Sequence, residues 1–231
     1  MKRLARNQLV RIDTLAWQQI EARAWDPQAQ EILAHWRAHS LPLVVCRQRD
    51  DASPDQICLG LPAPMQWSRR RLALRVPLDQ IQVSGFFPSF LQVARASHWG
   101  LAAMDFDSAL SSLGVNTRVY GSHGWQFLTD LPYLHDESDI DLSLHVDDFE
   151  AARRVVQQLA TTELHRRIDG EIVFPTGEAI AWRELQKLLA GQTTQVMVKA
   201  RCSIRLAAME EVSQLGWGTH RLTPKTALAL N

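Results

Sequence analysis

Ser138-Asp139-Ile140-Asp141-Leu142-Ser143-Leu144-His145-Val146 alternates polar and apolar residues, the period-two pattern of a half-buried β-strand. Ile140, Leu142, Leu144 and Val146 are predicted to face a core, and Asp139, Asp141, Ser143 and His145 the opposite side. Two carboxylates at i and i+2 then project from one face of a rigid element. Their repulsion at that separation is usually offset by a bound divalent cation. Upstream, Val119-Tyr120-Gly121-Ser122 reads as a strand end running into a Gly-Ser turn and a helix, with Ser122 placed as the N-cap. Gly121 permits close backbone approach, and the helix start offers free N–H groups and a favourable dipole to an anion.

A charged strand edge that discourages pairing is the plain alternative for the acidic pair. Asp is a poor strand former, however, and here it interrupts a clean apolar alternation twice. Such local rule-breaking tends to mark functional sites. Gly-Ser or Asp-x-Asp alone carries little; the two together, in this order, are selective. The combination suits a triphosphate held at Gly121 and Ser122, with one or two Mg²⁺ ions on Asp139 and Asp141. The matching chemistry is attack of a hydroxyl on an α-phosphorus with departure of pyrophosphate.

The elements that must position these groups can be read around them. The chain has 231 residues, 46% hydrophobic and 22% charged, enough for one large domain or two small ones. Its 25 basic and 25 acidic residues cancel, so it lacks the electrostatic footprint of a general nucleic-acid binder. A local basic pocket is still compatible with that balance, and residues 68–71, Ser-Arg-Arg-Arg, are a place for one, though they read more simply as a solvated turn. Cys46, Cys58 and Cys202 have no metal-type spacing and read as reduced core residues. With no apolar leader at Met1–Gln8 and no stretch long enough for a membrane span, a cytoplasmic protein is expected.

Residues 1–85 are predicted to form a small α/β module: helices over 14–39 broken at Asp26-Pro27, then strands near 41–47, 57–61 and 71–76. Residues 86–231 are predicted to form the catalytic portion. Its elements are one or two helices over 86–113, a strand over 115–120, the Asp-x-Asp strand, and a helix capped by Asp147-Asp148 with Phe149, Ala152, Val155, Val156 and Leu159 as its apolar stripe. Leu164–Phe174 is expected to be a hairpin turning at Asp169-Gly170. A strand over 195–199 and a helix over 204–215 follow.

The motif pair resembles the nucleotidyltransferase superfamily with the polymerase-β-like palm. Tyr120-Gly121-Ser122, Trp125-Gln126, Leu131 to His135, Ser138 to Leu142, Asp169-Gly170-Glu171 and Ala181 to Leu185 resemble, more closely, the phosphoribosyl-dephospho-CoA transferases, the malonate decarboxylase holo-acyl-carrier-protein synthases. Gly124 stands where that family is expected to carry a small residue such as Ala. The resemblance implies an α+β fold with a palm and a small N-terminal module. It implies transfer of the prosthetic group from triphosphoribosyl-dephospho-CoA to a serine of the malonate decarboxylase acyl-carrier subunit, with release of pyrophosphate. Asp139 and Asp141 would carry Mg²⁺; Gly121 and Ser122 would hold the departing phosphates. A third carboxylate is usual in the superfamily. Asp169 and Glu171 are the candidates, Asp169 weakened by its turn-like Asp-Gly context and Glu171 slightly preferred.

His123 and His135 flank this site but read more simply as exposed loop histidines. Lys199 reads equally as a phosphate partner or a snorkelling surface lysine. Trp125 and Trp182 read as core aromatics before they read as adenine platforms. Two other functions fit the same motifs: a general nucleotidyltransferase moving AMP to a protein or small-molecule hydroxyl, and a non-catalytic binding module.

Overall fold

Asp13 and Asp26 start the first two helices, α1 (Thr14–Glu21) and α2 (Pro27–Ala38), each accepting a hydrogen bond from a first-turn N–H, with Pro27 at N1 as its fixed φ favours. The computed structural model describes residues 4–48 and 55–216; the outer ends of the two portions read from the sequence, 1–3 and 217–231, lie outside these. Both helices cover one face of an antiparallel sheet built from β1 (Leu9–Ile12), β2 (Leu43–Val45), β3 (Gln56–Pro62), β4 (Arg71–Pro77) and β5 (Ile81–Gly85), ordered β4-β3-β2-β1-β5. Alternation along β3 and β4 sends Leu59, Leu61, Leu72 and Leu74 into a core with Trp17, Ile20, Ile32 and Trp36. The opposite face carries Val44, Gly60, Pro62, Arg71 and Ala73, matched by the register Val44↔Gly60↔Ala73 and Pro62↔Arg71. The strands β1 and β5, which pair with each other, lie outside those predicted.

The second sheet has six strands: β6 (Asn116–Val119), β7 (Ile140–His145), β8 (Ile168–Val173), β9 (Ala179–Ala181), β10 (Val196–Lys199) and β11 (Ile204–Ala207), ordered β11-β10-β9-β8-β7-β6. All neighbours run antiparallel except β7 and β8. That parallel pair requires a crossover, supplied by α6 (Phe149–Thr161), whose N-cap Asp148 accepts from the Ala151 N–H. Its stripe of Ala152, Val155, Val156 and Leu159 packs into one core with Ile140, Leu142 and Leu144. The helices α3 (Phe90–Ala96), α4 (Leu101–Ser112) and α7 (Trp182–Leu189) add to the same core, while α5 (Gly121–Thr129) leads from β6 toward β7 and α8 (Met209–Val212) closes the described chain. The architecture among the described residues is thus mixed α+β, with two sheets and eight helices.

Three local expectations need correction. Asp169-Gly170 is no hairpin turn: both residues lie inside β8, and the chain reverses instead at Pro175–Gly177. Residues 204–215 are not one helix, because 204–207 pair with β10 and leave only the short α8; tertiary pairing overrides a weak local preference here. Ser122 does not cap α5. Tyr120 is the cap, without a side-chain bond to the first turn, and Gly121 begins the helix.

Candidate active site

Asp141 sits on β7 with its backbone paired on both sides. Its carbonyl accepts from the Tyr120 N–H at 3.0 Å, tying the start of α5 to the strand. In the parallel register Asp141 lies opposite Asp169, and Ser143 opposite Glu171. Adjacent strands are roughly 4.8 Å apart, so Asp141 and Asp169 present neighbouring carboxylates on one sheet face. Burial and then the charges of Asp169 and Asp139 push the Asp141 carboxyl up to about 6. The repulsion expected between Asp139 and Asp141 is therefore present, with the larger share coming from Asp169.

Asp139 precedes β7 and is engaged by Arg167, whose Nε donates to its Oδ1 at 2.9 Å and whose Nη2 pairs with its Oδ2. That hydrogen-bonded pair holds the Asp139 carboxyl below its usual range. Glu171 is 6% exposed and held between Arg6 and Lys199, the latter donating to Oε1 at 2.7 Å. Burial raises its carboxyl, but the two cations outweigh burial and hold it below its ordinary value. Glu171 is thus already neutralised, whereas Asp169 stands next to Asp141 with one oxygen accepting from the Gly170 N–H.

Gly121 has φ +60, and a Cβ there would lie 1.8 Å from Asp141 Oδ2. The glycine is what lets the first turn of α5 meet the carboxylate. Gly124 N–H already donates to the Tyr120 carbonyl, so the earlier N–H groups of this nine-residue helix have no intrahelical acceptor and carry the positive end of its dipole. Gly124 itself is demanded by packing: a Cβ would approach the Val119 carbonyl oxygen to 2.3 Å. Gly121→Ala is expected to cut turnover by more than about 100-fold by displacing a preorganised charged group. The loss of stability should be only about 1–2 kcal/mol, the cost of a left-handed alanine. Steady-state rates and melting curves on the same preparation check this.

Of these groups Gly121 and Asp141, with Ser122, open onto a cleft of about 550 Å³ that is also lined by the free face of the first sheet. Phe87, Trp125 and Tyr133 join the two halves. Although late in the sequence, all three are buried in the core of the first sheet, and the Tyr133 hydroxyl donates to the Pro62 carbonyl at 2.6 Å. Tyr120, with Asn7 and Phe87, lines both this cleft and a second cavity of about 600 Å³; burial, then the nearby acids, push its phenol far up, so it stays protonated.

The flanking residues divide. His123 is no exposed loop residue: it is 4% exposed on α5, edge-on to Trp99, and held near pKa 4 chiefly by burial. His135 is half-buried, its Nδ1 accepting from the Glu137 N–H. Trp182 is core, its Nε1 donating to the Ile168 carbonyl. Sequence reading missed Arg6 and Arg167, and favoured a solvated turn over a basic pocket for the cleft-facing Arg69 and Arg71, because nothing in their local pattern reveals which acid or cavity a long side chain will reach.

Residues 5–85 match the phosphoribosyl-dephospho-CoA transferase MdcG N-terminal domain, and residues 88–210 match its C-terminal domain. The chain belongs to the phosphoribosyl-dephospho-CoA transferase family. A phosphoribosyl-dephospho-CoA transferase of Xanthomonas campestris pv. campestris is 35% identical over 200 residues, covering 83% of this chain and 91% of that protein. The protein of the same name from Xanthomonas euvesicatoria is 33% identical over 214 residues, covering 83% and 91%. That of Bradyrhizobium diazoefficiens is 31% identical over 203 residues, covering 84% and 86%. No solved structure matches the chain. Membership in the phosphoribosyl-dephospho-CoA transferase family makes the chain a transferase, and none of its described helices is long and apolar enough to cross a membrane.

Proposed function

We propose that this cytoplasmic transferase moves the 2′-(5″-phosphoribosyl)-3′-dephospho-CoA group from its triphosphate precursor to a serine of the malonate decarboxylase acyl-carrier subunit, on a polymerase-β-like palm formed by the second sheet. The observation that carries this reading is the junction of Gly121, Ser122 and Asp141 in the lining of a cleft large enough for part of a nucleotide. The serine oxygen attacks the α-phosphorus of the donor. A phosphodiester forms, the bond from that phosphorus to the bridging oxygen breaks, and pyrophosphate leaves with the proton passing to a carboxylate or solvent.

The acidic pair fits a divalent cation. Among the described residues no three His, Cys, Asp or Glu side chains form a ready-made cage, but Mg²⁺ is commonly held by one or two carboxylates, waters and substrate phosphates. Asp141 and Asp169 are the neighbouring pair, and Asp141 is half-buried among like charges that an added cation relieves. Asp141 and Asp169 would hold Mg²⁺, with Asp139 joining them on release from Arg167. The ion would supply charge neutralisation for the phosphates and polarise the reacting phosphorus. Ser122 and the open N–H groups of α5 bind the departing phosphates, and Gly121 keeps that turn against Asp141.

Intact-mass measurement of the apo carrier subunit after incubation with this protein, Mg²⁺ and the triphosphoribosyl donor tests the proposal. The expected result is a gain equal to the donor minus pyrophosphate. A gain that appears only with ATP, corresponding to AMP, would replace this reading with a general nucleotidyltransferase.

A further inference from the structure

Three consecutive arginines, Arg69, Arg70 and Arg71, close the hairpin between β3 and β4, and they do not share one role. Arg70 is neutralised: Nη1 donates to Asp26 Oδ1 at 2.6 Å, Nη2 pairs with Oδ2, and Gln28 adds a third contact. Arg69 and Arg71 line the cleft instead, and neither has an acidic partner among the described residues.

The turn that presents them is fixed. Ser68, which ends a short 3-10 turn over Met65–Trp67, and Arg69 have φ +55 and +54, two successive left-handed residues that bring the chain back into β4. Trp67 anchors the turn in the core, with Nε1 donating to Glu31 Oε1 at 2.9 Å, and the Ala63 N–H donates to the Arg70 carbonyl at 2.7 Å. The register partners Gly60 and Ala73 form part of the floor of the same cleft. A Cβ on Gly60 would come within 2.9 Å of Cys46 Sγ, so the floor stays low only with glycine. The charged lining of the cleft is of two kinds carried by different elements, Asp141 beside Gly121 on the second sheet and Arg69 and Arg71 on the hairpin of the first, with Gly60, Leu61, Ala63, Leu72 and Ala73 in the same lining.

That pattern fits a ligand with two separate anionic segments, one met through a metal and one met by guanidinium groups directly. We propose that Arg69 and Arg71 form a second anion site, which takes the diphosphate linking adenosine to the pantetheine arm of the donor while the triphosphate lies at Gly121, Ser122 and Asp141. This rests on the donor assigned above. Guanidinium groups suit the task because they donate paired hydrogen bonds to phosphate oxygens and stay charged.

Calorimetric titration with dephospho-CoA, which has the diphosphate but no triphosphate, separates the two sites. Arg69→Gln/Arg71→Gln is expected to weaken dephospho-CoA binding by about tenfold or more, the loss for one or two charge-assisted bonds. Inorganic tripolyphosphate with Mg²⁺ should bind the double variant as it binds the unmodified protein, and Arg70→Gln should leave dephospho-CoA binding unchanged. Equal dephospho-CoA affinity in the unmodified protein and the double variant would overturn the arginine site while leaving the donor reading intact. An equal loss for tripolyphosphate would also overturn it, by reducing the arginines to a diffuse field. Failure of dephospho-CoA to bind the unmodified protein would overturn the donor reading and this site together.

Discussion

Asp141→Asn is expected to abolish transfer, with a fall of at least about 10³-fold, as for loss of a preorganised charge at a reacting centre. The same variant should melt no lower than the parent, and higher at pH 8 without divalent cations. The sign follows from the raised carboxyl. With a folded-state value of about 6 against an ordinary carboxylate near 4, the folded protein tolerates Asp141 best when it is protonated. Its contribution to stability is greatest below the ordinary value and is lost as the pH rises through about 6. Asparagine removes the charge and with it that loss. Mg²⁺ should raise the melting temperature of the parent more at pH 8 than at pH 5, and should do so weakly in the variant. Melting curves at the two pH values, with and without Mg²⁺, check the whole set. A variant that unfolds easily at pH 8 would mean that Asp141 serves the fold rather than the chemistry.

Gly170→Ala is expected to destabilise the protein by more than about 3 kcal/mol, beyond the usual range for a single substitution. Gly170 has φ +135, and a Cβ there would lie 1.9 Å from the Leu142 carbonyl oxygen and 2.6 Å from its nitrogen. These are backbone atoms of a central strand and cannot move aside as a side-chain tip can. Since Leu142 and Gly170 are register partners between the two acids and Ser143, relief of the clash must separate β7 from β8 and so part Asp141 from Asp169. Chemical denaturation should show a lowered midpoint, and any folded fraction should lack transferase activity.

Gly170 also marks where the sequence was most easily misread. Asp-Gly is the strongest short turn signal, and its local chemistry is the same whether the glycine serves a turn or a close strand approach. Only the partner strand decides, and β7 is separated from β8 by all of α6. The Asp-x-Asp strand was legible because its alternation is complete within nine residues, and the glycine at the strand-to-helix junction because that turn needs its φ freedom. The helices α1 and α2 were legible as a helical region broken at Asp26-Pro27, and α6 through its Asp cap and apolar stripe. What could not be read was pairing across distance: Arg167 on Asp139, Arg6 and Lys199 on Glu171, and the alignment of Asp169 with Asp141. Each depends on register between elements that local periodicity does not encode. The arginine turn was legible as a turn and illegible as a cleft wall, since Arg70 and its neighbours differ only in what lies opposite them.

The burial of Phe87, Trp125 and Tyr133 in the core of the first sheet has a consequence for how the chain folds. The helix that starts at Gly121 is anchored on its far side by a module built from residues distant in sequence, so the two sheets share structural members. They should melt in a single cooperative transition, and a chain truncated to begin near residue 86 would expose three aromatic rings and lose the Pro62 acceptor of Tyr133. Such sharing makes the first module a template for the active-site helix, and it disfavours opening of the cleft by independent swinging of its walls.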